Sequence, residues 1–507
     1  MNMNTCEKYT YKRHEPEKTL LYQTMAEHLE SWLAKRQADS SRTPLPEFVT
    51  KELRGFLRCG VLQYGFVMAN CETCDSKNFA AFSCKKRGFC SSCLAKRMSE
   101  SSAHLIDNVL PRVPYRQWVV TFPHSLRFWM AASRSLTNLV HKIVSKMIIC
   151  YYEYQAKNLG MEGTIPAGIT FIQRFGGGLN LNLHFHIITA DGVFSTSTGQ
   201  PVFHHLRGPN NEEVAQVLEA IAHGVISLLK EKNYLCEDGT LVDRPDCIDK
   251  EFIDSEQLTA AVAASNMMMV AFGENAGKKV RRIGRGFGYE EEAAFLKSKR
   301  CSSINGFTVH ANRYIGQQER GKLEQILSYA ARPGFSHERL SLKDPNCPDG
   351  DFIYKLKTPW SDGTEAIVLS IDELFEKLSA LIPPPYVHLT RYFGILASHN
   401  KWRKMIILRP NVKKGWISSE DGQSVERMNR SKLLKRVFAI DIDICQNCGG
   451  KIRLDACILV IMPFEIEKIL KFIGLKCHPP PIKQARFIEH EMDFDHMPDY
   501  ETPIDYC

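Results

Sequence analysis

Leu179-Asn180-Leu181-Asn182-Leu183-His184-Phe185-His186-Ile187-Ile188-Thr189 alternates apolar with polar residues until it reaches two imidazoles on either side of one phenyl ring. Such alternation marks a half-buried β-strand, in which every second side chain points to the same face. Leu181, Leu183 and Phe185 then share one face, and His184 and His186 share the other. Two imidazoles on a stiff strand can hold one divalent ion and leave coordination positions open for a substrate oxygen. Taken alone, a His-x-His pair is more readily two histidines hydrogen-bonded to their neighbours, so the surrounding sequence has to decide. Residues 168–175 read as a preceding strand and Gly176-Gly177-Gly178 as the turn, which predicts an antiparallel hairpin carrying the pair. No helix follows these glycines, so they are a turn and not a phosphate loop.

Outward from the hairpin the pattern mixes helices and strands. Residues 116–122 and 307–310 read as strands, and residues 133–152 as a helix. Residues 212–235 form an amphipathic helix with Val214, Val217, Leu218, Ile221, Val225, Leu228 and Leu229 on one stripe. A helix over 320–331 is stopped by Pro333; Leu323, Ile326, Leu327 and Ala330 make its buried stripe, and Tyr329 lies at the flank of that stripe. Ser370 and Glu373 form a capping box for a helix that ends at Pro383-Pro384-Pro385. The fold class expected is α+β, with a helical lead over the first forty residues and a short helix over 48–57.

Cysteine spacing supplies the strongest local signal. Cys71-Glu72-Thr73-Cys74 and Cys90-Ser91-Ser92-Cys93 are two Cys-x-x-Cys knuckles fifteen residues apart, the spacing of a zinc ribbon or finger. The expectation is one closed structural zinc site made by Cys71, Cys74, Cys90 and Cys93, with Cys84 as a possible substitute. A third knuckle, Cys445 and Cys448, has no matching fourth pair, although Cys457, Cys477 and His478 are available to complete a site. Lys85, Lys86 and Arg87 beside the second knuckle, with Phe79, Phe82 and Phe89 interleaved, suit contact with nucleic-acid phosphates and bases, or equally form the small core such a module needs.

With 507 residues, 44% apolar and 24% charged, the chain can bury large cores and divides into about three domains. We place the boundaries at 1–110, a helical lead with the zinc module; 111–345, a catalytic domain; and 346–507, an accessory region. The N-terminal residues have no apolar signal core and no stretch is apolar enough to span a bilayer, so a cytosolic protein without membrane contact is expected. Seventeen cysteines in a reducing compartment then read as metal ligands rather than disulfides. The net charge of +8 is concentrated in local clusters, at 85–87, 96–97, 278–285 and 430–436, which attract polyanions. Gly273-Glu274-Asn275-Ala276-Gly277-Lys278-Lys279 is one residue too short for a P-loop and lacks its hydroxyl residue, so no nucleotide cofactor is expected.

Several stretches together resemble the transposases of the insertion-sequence-91 family. They are Phe82 through Cys93, Leu110 through Trp118, Phe171 through His186, Asp191-Gly192-Val193, Leu327-Ser328-Tyr329-Ala330-Ala331-Arg332-Pro333, Ser361-Asp362-Gly363-Thr364, and Cys445 through Gly450. The resemblance implies an HUH endonuclease: a Rep-like central antiparallel sheet flanked by helices, acting on single-stranded element ends and target DNA in the bacterial cytosol, at the nucleoid, by a rolling-circle scheme. It places the metal pair at His184 and His186, with magnesium or manganese as the ion, and the nucleophile at Tyr329. Some relatives carry a second tyrosine four residues further on; Pro333 stands there in this chain, which implies a single-tyrosine form.

Two histidines rarely hold a catalytic ion alone, and Gln173, facing the pair across the hairpin, is the candidate third ligand. Arg174 and Arg332 join Lys85, Lys86 and Arg87 as candidate DNA contacts. A plasmid replication initiator or relaxase would share this chemistry, and a zinc-dependent DNA-binding regulator would use the cysteine module without cutting.

Overall fold

The computed structural model describes residues 15–74, 76–236, 248–284, 300–408, 444–445, 447–459 and 462–486. The basic residues expected at 430–436 and Arg285 lie outside these residues. The strands are β1 (Gly65–Cys71), β2 (Lys77–Ala81), β3 (Tyr115–Thr121), β4 (Thr164–Phe175), β5 (Leu181–Ser195), β6 (Val202–His205), β7 (Arg281–Ile283), β8 (Cys301–Ile304), β9 (Phe307–Ile315), β10 (Leu340–Leu342), β11 (Phe352–Lys355), β12 (Ala366–Leu369), β13 (Thr390–Gly394) and β14 (Ile452–Leu459). Helices are α1 (Leu20–Ala38), α2 (Glu47–Phe56), α3 (Ser91–His104), α4 (His124–Ala132), α5 (Arg134–Asn158), α6 (Asn211–Glu231), α7 (Lys250–Ile253), α8 (Glu256–Asn266), α9 (Arg320–Ala330), α10 (Ile371–Leu381), α11 (Arg403–Ile406) and α12 (Pro463–Phe472). The α+β class holds, and every strand pairing is antiparallel.

The central sheet has the order β13-β4-β5-β3-β9-β8, with β6 paired to the far end of β5. The β4–β5 hairpin turns at the three glycines. A Cβ on Gly176 would come within 2.3 Å of the Asn180 side chain, while the backbone carbonyl of Asn180 accepts the Gly176 N–H at 2.8 Å, so any larger residue there would have to push that side chain aside. Alternation along β5 sorts its side chains as the sequence predicts. Leu181, Leu183, Phe185 and Ile187 enter one apolar cluster with α4, α5 and α6, while Ile188 and Ala190 enter a second with Leu323, Ile326, Leu327 and Ala330 of α9. His184 and His186 therefore lie on the α9 side of the sheet. At the base of β3, Arg116 and Asp191 form a buried two-point ion pair, both bonds 2.8 Å, which also takes the Tyr152 hydroxyl. It ties β3 to the Asp191-Gly192-Val193 segment of β5.

Two smaller sheets complete the fold. One has the order β10-β11-β12-β7. The boundary expected at 345 falls between β10 and β11, two strands of one hairpin, and β13 from beyond it forms an edge of the central sheet. The other small sheet has the order β14-β1-β2. A strand from the last sixty residues thus completes the N-terminal cysteine module, so the region beyond 345 is woven into both other parts.

Candidate active site and cysteine clusters

Register places the histidines in the middle of the sheet. His184 lies opposite Gln173 on β4 and Thr121 on β3; His186 lies opposite Phe171 and Val119. Residues directly opposite share a face in an antiparallel pair, so Gln173, Gln117 and the two histidines project together. The two Nε2 atoms are 3.1 Å apart. Two nitrogens each about 2.1 Å from one ion and at right angles would be about 3.0 Å apart, so the spacing fits a shared ion. Both outer nitrogens are held: His184 Nδ1–H donates to the Asn182 carbonyl at 2.8 Å, and His186 Nδ1 lies 3.0 Å from the Gln117 amide. Burial lowers His184 to about 4 and His186 to about 3, with Arg332 and, for His186, its neighbour His184 adding to the effect. Both rings are accordingly neutral near pH 7, the state that binds metal.

Gln173 is 3% exposed and does two things. Its Nε2 donates to the carbonyls of Tyr329 and Ala330 at 3.0 and 2.8 Å, which fastens the last turn of α9 to β4. Its Oε1 is buried without a hydrogen-bond partner among the described residues. A buried acceptor left open costs about 1–3 kcal/mol, and an amide oxygen beside two imidazoles is a mixed oxygen and nitrogen donor set of the kind that divalent ions take.

Tyr329 stands where this anchoring puts it. Its ring is edge-on to His186, with centroids 5.8 Å apart, and it is 38% exposed. The Arg332 guanidinium sits 4.4 Å above the same ring and the Lys357 ammonium 5.2 Å from it. Arg332 also covers Phe175 at 5.5 Å. Other tyrosines are placed differently: Tyr354 is fully buried and accepts the Ser336 N–H, and Tyr314 packs against His205 and Arg116. Lys357, absent from the sequence reading, gave no signal there because it belongs to a loop folded back from beyond the expected boundary.

The cysteines depart from expectation. Cys71, Cys74, Cys90 and Cys93 do not form one site. Cys90 and Cys93 converge with Cys59 and Cys84, whereas Cys71 and Cys74 converge with Cys445 and Cys448. In the first set the sulfurs of Cys59 and Cys93 are 3.5 Å apart, and those of Cys84 and Cys93 3.4 Å; in the second, Cys71 and Cys448 are 3.4 Å apart, and Cys74 and Cys445 3.6 Å. A tetrahedral zinc tetrathiolate with zinc–sulfur bonds of about 2.3 Å has edges of about 3.8 Å, so each set fits one zinc. The physical reason for the swap is the β1–β2 hairpin. It carries the first knuckle to one end of its sheet, where β14 returns alongside β1 and the Glu72 N–H bonds the Lys451 carbonyl. Cys477 and His478 group with Glu467 instead of joining Cys445, and the side chain of Cys457 lies outside the described residues.

The basic candidates also separate. Lys85 is exposed and Lys86 partly so. Arg87 is committed elsewhere: its guanidinium donates to the carbonyls of Val387 at 2.7 Å and Pro384 at 3.0 Å. Arg174 is buried on the opposite face of β4 from Gln173. Among the described residues no helix is long and apolar enough to cross a membrane.

Comparison with known families agrees with this architecture. Residues 168–403 match the family described as "Putative transposase", and residues 24–122 match the transposase zinc-binding domain of the insertion-sequence-91 type. The first match holds Gln173, the histidine pair and Tyr329; the second holds six of the eight converging cysteines. Neither a curated protein nor a solved structure matches the chain. A structural zinc-binding domain joined to a transposase domain, in this order and with these motifs, places the chain in the insertion-sequence-91 family of transposases, which act on DNA.

Proposed function

We propose that this transposase cuts and rejoins single-stranded DNA through a 5′-phosphotyrosine at Tyr329, on an HUH-type sheet and in a rolling-circle scheme. One observation carries the reading: the edge of α9 that faces the histidine pair presents Tyr329, 5.8 Å from His186 between ring centres. His184, His186 and Gln173 would hold magnesium or manganese, which when bound neutralises charge on the scissile phosphate and aligns it for attack. Tyr329 supplies the nucleophilic oxygen. Its bond to phosphorus forms as the bond to the 3′ oxygen breaks, and the phenol proton ends on the released 3′-hydroxyl. The ester conserves the energy of the broken bond, so a later 3′-hydroxyl can reverse the step without a nucleoside triphosphate. Arg332 and Lys357, already beside the ring, bring positive charge to the incoming phosphate. With Pro333 at the position of a second tyrosine, one subunit has one nucleophile.

We assign one structural zinc to Cys59, Cys84, Cys90 and Cys93, and a second to Cys71, Cys74, Cys445 and Cys448. The transposase matches favour this reading over a replication initiator, a relaxase or a regulator that binds without cutting. The test is to incubate the full chain with labelled single strands carrying the element's ends, with magnesium or manganese, and to map the adduct by mass spectrometry. An adduct on Tyr329 is expected; one on Tyr314, or none with any divalent ion, would overturn the proposal.

A further inference from the structure

Strand β4 carries a second unsatisfied group, on the face away from the histidines. Arg174 is 6% exposed. Its Nη1 donates to the Ala131 carbonyl at 3.2 Å, but Nε and Nη2 have no hydrogen-bond partner among the described residues. Asp249, the acidic group whose field reaches Arg174, has its Oδ2 engaged by the backbone and side chain of Arg134. Burial lowers Arg174 to about 10, and three of its five N–H groups are left without an acceptor among the described residues. Such a group stores binding energy for an anion.

The space around it is suited to one. Arg174 lines a cavity of about 100 Å³ with Arg134, Asn138, Leu389 and Arg391, room for several water molecules or a phosphate group. Arg134 is saturated by Asp249, Glu251 and the Pro385 carbonyl. Arg391 is not: its bond to the His388 carbonyl is a long one, 3.4 Å. The rim belongs to the segment 383–389, which Arg87 and Arg134 pin through three of its carbonyls. Held in this way, Tyr386 has the left-handed φ of 62° and presents a ring that is 86% exposed. Both features are unfavourable for a bulky residue, and such a conformation persists only where the surrounding structure holds it. Arg174 also lines a second cavity, of about 120 Å³, together with Gln173, Arg97 and Arg332. Ile172, Arg174 and Leu389 line both cavities, at the end of β4 beyond its pairing with β13, which is the route by which a strand bound at Tyr329 would reach Arg174.

We propose that Arg174 and Arg391 bind a phosphodiester of the single-stranded DNA away from the scissile bond, while Tyr386 stacks on the adjoining unpaired base. The subsite deepens the reading of Tyr329 as a strand-cutting residue and rests on it for its purpose. Its test does not depend on cutting. Binding of a fluorescent oligothymidylate to the full, zinc-loaded chain is read by anisotropy across salt, in a Tyr329→Phe background. Arg174→Met is expected to weaken binding about tenfold or more and to lower the slope of log affinity against log salt by about 0.7 for each phosphate no longer neutralised. Because it removes an uncompensated buried charge, it should leave the melting temperature unchanged or higher. Tyr386→Ala, at an exposed position that cannot unfold the core, should cost about fivefold or more, and Tyr386→Phe should restore binding. The proposal is overturned if Arg174→Met lowers the melting temperature with affinity intact, if affinity falls with no change in salt slope, or if Tyr386→Phe binds as poorly as Tyr386→Ala. Should the wild type cut no DNA, the binding results still decide the subsite; should it cut normally while these variants bind like wild type, only the subsite fails.

Discussion

The histidine site and the cysteine module reach their geometry by opposite routes. His184, His186 and Gln173 come from one hairpin, and their convergence follows from strand alternation and a register fixed by a glycine turn. The cysteines sort themselves against sequence proximity: knuckles fifteen residues apart go to different clusters, and Cys71 finds its partner at Cys448. Period-2 geometry acts over a few residues and is readable; the return of a distant strand is not. Experiments that separate the two routes also test each assignment.

The largest expected effect belongs to Tyr329, the proposed nucleophile. Tyr329→Phe keeps the ring that packs between His186, Arg332 and Lys357 and removes only the attacking oxygen. Adduct formation should vanish while folding and oligonucleotide affinity survive. An adduct that persists in the Phe variant would place the chemistry elsewhere. Next in size, His184→Ala or His186→Ala should lower cleavage by about a hundredfold or more with little change in single-strand affinity, which comes from basic and aromatic contacts. Equal losses of binding and cleavage in a folded variant would recast the pair as DNA contacts.

The two cysteine clusters differ in exposure, and that predicts a kinetic contrast. Cys59, Cys90 and Cys93 are buried in the main apolar cluster beside Phe56 and Phe89, whereas Cys74 and Cys448 are exposed. A chromogenic chelator should therefore draw out two zinc ions per chain in two phases. The fast phase should disappear in Cys445→Ser and the slow phase in Cys59→Ser, which also loses structure because zinc binding and folding are linked at such sites. A single zinc per chain, retained in both variants, would restore the original four-cysteine assignment.

How much was legible follows from the same contrast. The strand faces of β5, the α9 stripe that anchors Tyr329 and the capping box at Ser370 are local patterns, and each stands as read. Cys59 was missed because it sits alone at the end of α2, with no second cysteine to form a knuckle. The basic neighbours of Arg87 predict a DNA contact, yet its guanidinium clamps a loop three hundred residues away in sequence. The boundary expected at 345 falls between two short strands, and no local pattern shows that they pair. Residues defined by long-range partners left no periodic trace in the chain.

The smallest expected effect lies one step behind the proposed metal pair, at Gln117. It projects on the same face as His186, is 5% exposed, and its amide is 3.0 Å from Nδ1 of that ring. For Nε2 of His186 to offer a lone pair to an ion, Nδ1 must carry the proton, and the group that accepts that proton fixes both the tautomer and the ring's orientation. The amide oxygen of Gln117 can accept it once the amide turns over, a half-turn that exchanges oxygen for nitrogen at the same place. Replacement by Leu keeps the volume and removes the partner, so the imidazole retains its place but not its orientation. The metal concentration needed for half-maximal cleavage should rise by about 10- to 100-fold, with the rate at saturating manganese nearly restored. Gln117→Glu, which can only accept, should need less metal than wild type. A Leu variant whose metal requirement is unchanged, but whose maximal rate falls, would show that Gln117 serves the sheet and not the ligand.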